Sequence, residues 1–497
     1  MYKIRVVNTA SNALAVQIIR YENRKRIVCK HIGSAHNDKE LRNLKRIAND
    51  VIDDLSKQLY LFESCSDSTN ILHLNQSSFL GVHYTFVYEA LAFLIKQFGF
   101  DSFCNQLLID LVIIRIVEPA SKLRSIELLE LLFGIKHRRQ SFYKWAPQWF
   151  WLKTKVEQAT LNFAIKTYKF NYDLLFYDVT TLYFESFTED ELRKNGFSKD
   201  NKAQQPQILV ALLVSKEGFP VAYQIFEGNT FEGDTFLPII KAFVNENKVS
   251  HFTVVADAAM LSDKNIEALK DEELFFIVGA RLANLANEQI LKIDQKMERQ
   301  DAYTIRIKTN KGFLICSYSE KRYRKGKHEM QKQIEKAKKI ITSPSKKKKV
   351  KYTKSKDEKL ELNQTLIEKN TKLLGIKGYY TNLEESISSN QEIINRYHQL
   401  YKIEQAFRIS KSDLKSRPIF HYKQQPIQLH ILICFMALAI TKHIELQSGK
   451  SIRKFITECR KISDARMLNK INNKEIKIRT KYTDEVLEII RKLKLPH

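Results

Sequence analysis

The feature that most limits the fold of this chain is a change of hydrophobic period near residue 171. Before it, from about 77 to 170, apolar residues recur at helical spacing: Phe86, Ala90, Phe93 and Leu94 form one set, and Leu107, Leu111 and Ile114 another. After it, short apolar runs separated by turn residues take over. Leu174-Leu175-Phe176-Tyr177 ends at Asp178, and Gln207 to Val214 is a second run. Lys216-Glu217-Gly218-Phe219-Pro220 supplies turn chemistry, and Val221 to Phe226 pairs back as a third strand. Asp234 is placed to cap a helix reaching about Asn247, Phe252 to Ala256 is a fourth strand ending at Asp257, Ser262 caps a helix to about Leu269, and Leu274 to Val278 is a fifth strand.

Strand, hairpin, helix, strand, helix, strand is the layout of a ribonuclease-H-like α/β fold. The expected organisation is an N-terminal hairpin and helix over 1–61, a helical region over 62–170, and the first part of the α/β core over 171–284. A β-rich, Lys-rich insertion follows over 285–375, then the second part of the core over 376–445 and a basic helical tail over 446–497. The hairpin turns at Glu22-Asn23-Arg24-Lys25, with a helix over 38–61 behind it. His137-Arg138-Arg139, followed by Phe142, Tyr143 and Trp145, makes the helical region basic and aromatic. It reads equally as a DNA-binding region or as plain helical packing. The Lys346-Lys347-Lys348-Lys349 run reads as a solvated segment or as a contact to a DNA backbone.

Lys and Arg number 82 against 56 Asp and Glu, leaving a formal net charge of +26. Positive charge on an enzyme-sized chain suits a polyanionic partner, because binding nucleic acid releases condensed counterions. A basic protein without such a partner is the competing reading. Hydrophobic residues make up 44%, which excludes a disordered or fibrous chain. The six cysteines form no C-x-x-C pair, so they read as buried thiols of a reducing compartment rather than zinc ligands. MYKIRVVN lacks the apolar core of a signal peptide. Ile427 to Ile440 is shorter than the ~20 residues of a membrane span and contains Gln428 and His430, so it reads as a buried helix. The expectation is a soluble cytoplasmic protein with no membrane partner. Ser448-Gly449-Lys450-Ser451 ends like a phosphate-binding loop but has Ile444 where the loop needs Gly.

The carboxylates carry the chemistry. Asp178 and Asp257 each follow an apolar strand, where a side chain leaves the core and faces the crevice beyond the sheet. One such Asp is commonly a turn or cap residue; two on neighbouring strands are more specific. From about Gln391 to Ser416 the pattern is one long helix, with Pro418 beyond it. At about 100° per residue, Leu400, Ile403, Phe407 and Leu414 share one stripe, and Tyr397, Glu404, Arg408 and Lys411 share a second beside it. On an isolated helix, Glu404 and Arg408 would be a surface pair worth about 0.3–0.5 kcal/mol. Two aspartates on the preceding sheet shift the balance toward a site. Three carboxylates meeting at one point repel one another unless divalent cations neutralise them, and Mg²⁺ prefers such hard oxygen ligands. Two ions ~3.5–4 Å apart suit in-line phosphodiester displacement. Tyr397, Arg408 and Lys411 would then hold phosphates.

At these residues the sequence resembles the DDE transposases of bacterial insertion sequences, in the IS-four-type group with a Tyr-Arg-Glu-Lys signature. That signature is Tyr, two residues, Arg, three residues, Glu, six residues, Lys. Tyr397, Glu404 and Lys411 fall on it, and Leu400 stands at the Arg position, where Arg408 is expected to replace the lost contact. The blocks Tyr177-Asp178-Val179-Thr180-Thr181 and Ala256-Asp257-Ala258-Ala259-Met260 are similar to the family's, as are Gly228-Asn229-Thr230 and Arg417-Pro418-Ile419-Phe420-His421. The resemblance implies that Asp178, Asp257 and Glu404 are catalytic and bind two Mg²⁺, with Mn²⁺ able to substitute. It implies cut-and-paste transposition of double-stranded DNA with terminal inverted repeats into target DNA, by a homodimer. A ribonuclease-H-like nuclease that only hydrolyses, and an inactive DNA-binding protein derived from a transposase, are the alternatives.

Overall fold

The computed structural model describes residues 2–9, 13–22, 25–56, 77–197, 204–249, 251–260, 262–342, 350–356, 359–470 and 473–496. Asn23 and Arg24 of the expected hairpin turn, Leu261 and the Lys346–Lys349 run lie outside the described residues. The chain divides into two compact units. The smaller collects 1–89, 130–135 and 456–490; the larger holds 90–129, 136–455 and 491–497.

In the smaller unit the N-terminal hairpin is part of a three-stranded antiparallel sheet, Tyr2–Asn8, Leu14–Glu22 and Lys25–Ala35. The helix Asp38–Ser56 packs on it through Leu41, Leu44 and Ala48 against Val16 and Ile18. A second three-stranded sheet pairs Ser77–His83 with Asp464–Asn469 and, beyond it, Lys474–Arg479. The region after 446 therefore is not the wholly helical tail that its charge and spacing suggest. Alternation in Arg466-Met467-Leu468 is too short to announce a strand until its distant partner is present.

The larger unit is built on an eight-stranded mixed sheet. Its strands are β1 (Leu174–Tyr183), β2 (Gln207–Ser215), β3 (Pro220–Glu227), β4 (Thr253–Ala256), β5 (Phe275–Ala280), β6 (Thr304–Thr309), β7 (Gly312–Tyr318) and β8 (Ile376–Thr381). Their spatial order is β6-β7-β8-β5-β4-β1-β2-β3. β1, β2 and β3 run antiparallel, while β4 and β5 pair in parallel, β4 lying beside β1. This is the strand order of a ribonuclease-H-like core. Every residue of β2 is buried, as its unbroken apolar run requires of a central strand. The helix Asp263–Asp271 starts at Ser262, whose hydroxyl accepts from the Asn265 N–H at 3.1 Å. Asp234 does not cap the next helix back: it lies inside a single 3₁₀ turn, Glu232–Thr235, and the helix Phe236–Asn247 follows with no side-chain cap.

The segment between β5 and the Glu404 helix is less β-rich than expected. Besides β6 and β7 it contains the helices Asn287–Lys296, Glu320–Thr342 and Gln364–Lys372, and a short strand pair. Its hairpin joins the edge of the core sheet through β8, so the insertion widens the sheet.

Helices named further on are α1 (Gln106–Val117), α2 (Lys122–Phe133), α3 (Arg139–Trp149), α4 (Asn390–His398), α5 (Tyr401–Arg408) and α6 (Gln424–Ser448). α6 is the one described helix long and apolar enough to cross a membrane, yet its apolar window is almost wholly buried in the protein. It packs against α1. In the basic aromatic segment, His137 lies 2.5 Å from Asp110 and Arg139 2.8 Å from Glu127, so two of its three bases face acids of this chain. Cys104, Cys316, Cys434 and Cys459 are buried free thiols, and Cys29 is an exposed one.

Candidate active site

The parallel register of β1 and β4 sets the two aspartates side by side. Phe176 pairs with Val255, and two residues beyond each come Asp178 and Asp257. A strand returns to the same face every second residue, so both carboxylates project from one face at one level. Asp257 sits one residue past the end of β4. Asp178 does not end its strand: β1 continues to Tyr183, because Val179 to Tyr183 keep pairing with β2. Its freedom comes from the other side, where β4 has stopped. Each carboxylate accepts the N–H of the next residue, Val179 at 2.8 Å and Ala258 at 2.7 Å.

The helix that brings Glu404 is two helices. Hydrogen bonds from Gln399, Leu400, Lys402 and Ile403 reach back three residues instead of four, which tightens the chain between α4 and α5. A π-helical turn, Ile409–Asp413, then follows. The expected continuous helix is therefore broken before Glu404 and underwound after it. The core stripe survives: Leu400, Ile403, Phe407 and Leu414 are all buried.

Asp178, Asp257 and Glu404 open on one cavity of about 380 Å³, together with Lys377, Tyr397, His398, Leu400 and Tyr401. Tyr397 is 8% exposed, and its hydroxyl donates to Asp257 Oδ1 at 3.3 Å. Burial, followed by the charge of Asp257, pushes the phenol's pKa well above its usual range, so it remains a donor. The ring reaches this place over Gly279. A Cβ there would lie 2.5 Å from the Tyr397 hydroxyl oxygen, so only glycine leaves room for the phenol. Arg408 and Lys411 do not line the cavity; Arg408 is exposed one turn past Glu404, and Lys411 belongs to the π-helical turn.

Lys377 is the residue that sequence reasoning missed. It enters from β8, with Nζ 4.7 Å from the centre of the Tyr397 ring and 5.5 Å from that of Tyr379. Burial lowers its pKa first and Arg322 adds to this, while Asp257 and Glu404 pull it back up. Its ammonium thus faces two of the three acids. One signal was present: a lysine inside the apolar strand Ile376-Lys377-Gly378-Tyr379-Tyr380 needs a partner. His398, also unremarked, hydrogen-bonds the Tyr379 hydroxyl at 3.2 Å, and burial followed by Lys377 lowers its pKa.

Three carboxylates around one cavity give the hard oxygen donors that Mg²⁺ or Mn²⁺ prefers. Among the described residues no three acidic, His or Cys side chains stand close enough together to share an ion. The donor set fits a divalent cation, and closing it around one requires the acids to draw together.

Among solved structures, a piggyBac transposase synaptic complex with hairpin DNA resembles this chain at 10% identity and a TM-score of 0.40, over 76% of this chain and 77% of that one. No curated protein matches the chain. The family described as transposase DDE domain matches residues 169–440, more than half of the sequence and all of the cavity described above, and the chain belongs to that family.

Proposed function

We propose that the chain is a DNA transposase that cleaves the ends of its element and joins them to target DNA at the cavity of Asp178, Asp257 and Glu404. The observation that carries this reading is the convergence of three acids, from β1, the end of β4 and α5, on one cavity inside the family's domain. A net charge of +26 supports double-stranded DNA as the partner. The three carboxylates would hold two Mg²⁺, with Mn²⁺ as a substitute; when bound, the ions supply an activated water or 3′ hydroxyl and stabilise the departing oxygen. The chain's own groups do the rest. Tyr397 holds Asp257 by its hydroxyl, Lys377 offsets the mutual repulsion of Asp257 and Glu404, and exposed Arg408, with Lys411, grips DNA phosphates outside the cavity. Lys377, and not Arg408, lines the cavity together with Leu400, the position at which the IS-four-type signature has arginine. Cut-and-paste movement between terminal inverted repeats, a homodimer on the paired ends and a bacterial cytoplasmic location belong to the same reading.

The test is Glu404→Ala on an end-sequence duplex with Mg²⁺. Strand cleavage is expected to vanish while duplex binding stays within a few-fold. Undiminished cleavage by that variant would sink the assignment. A supplied 3′ hydroxyl end separates transposase from simple nuclease: joined products are expected, and hydrolysis alone would favour the nuclease.

A further inference from the structure

The larger unit encloses a second, bigger cavity of about 740 Å³, well within the size of small-ligand sites. It shares no lining residue with the carboxylate cavity. Its walls come from the end of α1 and the turn into α2, from α3, and from the segment 415–426 leading into α6. That segment is tied to the core sheet where the Ile419 N–H donates to the Tyr183 carbonyl at 3.3 Å.

Two of the cavity's cations are buried. Arg115 is 4% exposed and Lys122 5%. Their hydrogen bonds go to neutral groups: Arg115 donates to the carbonyls of Ala120 at 2.8 Å and Leu414 at 3.5 Å, and Lys122 to His430 Nδ1 at 3.4 Å. His430 Nε2 donates to the Ser416 carbonyl at 3.0 Å, which leaves Nδ1 as the acceptor. Lys415, Arg417 and Lys423 add charge, and among the described residues no carboxylate lines the cavity. Burying an ammonium without an acid carries a large desolvation penalty. Burial, then Arg115, drives the Lys122 pKa down accordingly. An anion inside the cavity would reverse that.

The rest of the wall is aromatic. Phe142 is buried, while Tyr143 and Phe420 are 64% and 59% exposed around the opening. Inorganic phosphate needs no such surface; a planar heterocycle stacks on it. We propose that this cavity binds one nucleotide unit, its phosphate held by Arg115, Lys122 and Arg417 and its base against Tyr143 and Phe420. The unit is either a free mononucleotide or an unpaired nucleotide of a DNA strand, which share this chemistry.

The experiment is calorimetric titration of the full chain in EDTA with dAMP, deoxyadenosine, inorganic phosphate, a short single-stranded oligonucleotide and a blunt duplex. The expected result is that dAMP, or the single strand, binds at least about tenfold tighter than deoxyadenosine and phosphate, with the duplex binding elsewhere on the chain and not competing with dAMP. Binding of dAMP identifies a free nucleotide, and binding of the single strand alone identifies a strand. Lys122→Met weakens that binding about tenfold or more, and Tyr143→Ala weakens it severalfold. Lys122→Met removes a buried cation that has no acid, so its Tm stays level or rises, and lost binding there is not unfolding. Equal affinity for phosphate and dAMP, binding of duplex alone, no binding of any probe, or two variants that bind as tightly as the parent overturns the proposal. No divalent ion is present in these titrations, so their failure leaves the carboxylate chemistry standing, and failure of the Glu404→Ala test leaves this site standing.

Discussion

Asp178, Asp257 and Glu404 open on one cavity of the larger unit with Lys377 among them, whereas Arg115, Lys122, Lys415, Arg417 and Lys423 open on another with no described carboxylate. The two collections of like charge are tolerated differently. Asp257 and Glu404 are exposed and Asp178 is half-buried, so water shares the work of separating them. Arg115 and Lys122 are buried and have carbonyls and an imidazole instead of counter-ions. Hydrated acids can exchange one cation for another at little cost. Buried bases are held in an unfavourable state until an anion arrives. A catalytic centre that gathers ions suits the first arrangement, and a site that selects one ligand suits the second.

The largest expected effect falls on the acids. Asp257→Asn preserves shape and removes one charge, and single-turnover cleavage should fall by roughly a thousandfold. With less repulsion around the cavity, its Tm should hold or rise. Cleavage within about tenfold of the parent would place the chemistry elsewhere.

Gly279→Ala comes next. The new methyl displaces the Tyr397 hydroxyl and with it the hydrogen bond to Asp257. A shift of about 1 Å at a catalytic group costs up to ~10²-fold, so cleavage should drop by about 10- to 100-fold with DNA binding kept. Tyr397→Phe keeps the ring and loses only the hydroxyl, so its loss should be smaller. If Gly279→Ala cleaves normally, the phenol has room that the packing does not show.

Lys377→Met sharpens the contrast between the cavities, since it removes the ammonium that lines the cavity of the acids. Mn²⁺ should then bind a few-fold tighter by calorimetry while cleavage slows. Weaker Mn²⁺ binding would mean that Lys377 orders the acids and does not merely balance them.

How much of this was legible in the sequence depended on whether the cause was local. β1 to β5 were readable because each is a compact apolar run between turn residues, and Ser262 announces its helix. Ala302 to Ile307, Gly312 to Tyr318 and Lys377 to Thr381 read as strands, but nothing local says that they add three strands to the same sheet. The pairing of Ser77–His83 with Asp464–Asn469 joins segments hundreds of residues apart, and no window contains both. In the site, helical geometry linked Tyr397 with Glu404 despite the tightened turn between them. It also offered Arg408 and Lys411, which do not line the cavity: Arg408 is exposed on α5 and Lys411 belongs to the π-helical turn. Lys377 and Gly279 reach the site only through neighbouring strands, which is why neither stood out.

The smallest effect concerns two histidines, one in the cation-lined cavity and one outside it. His421 and His443 are both held down to about 4. Burial is the main cause for each; for His421, Lys122 and Arg115 add to it, and His430 lies 5.9 Å away ring to ring. His443 is boxed by Phe163 and shares a hydrogen bond of 2.8 Å with the Tyr168 hydroxyl. An unfolded histidine titrates near 6.5, so between that pH and about 4 the unfolded chain binds the extra proton. Stability is therefore complete above the unfolded value and is lost as pH falls through the folded one. Each ring contributes at most about 3 kcal/mol, which is a few degrees of Tm. His421→Gln and His443→Gln should each flatten the acid limb of a Tm-against-pH curve. In a Lys122→Met background the His421→Gln effect should shrink, because part of what held that ring down is gone, while the His443→Gln effect should not change. Equal effects of His421→Gln in both backgrounds would mean that the charge of Lys122 does not reach across its cavity.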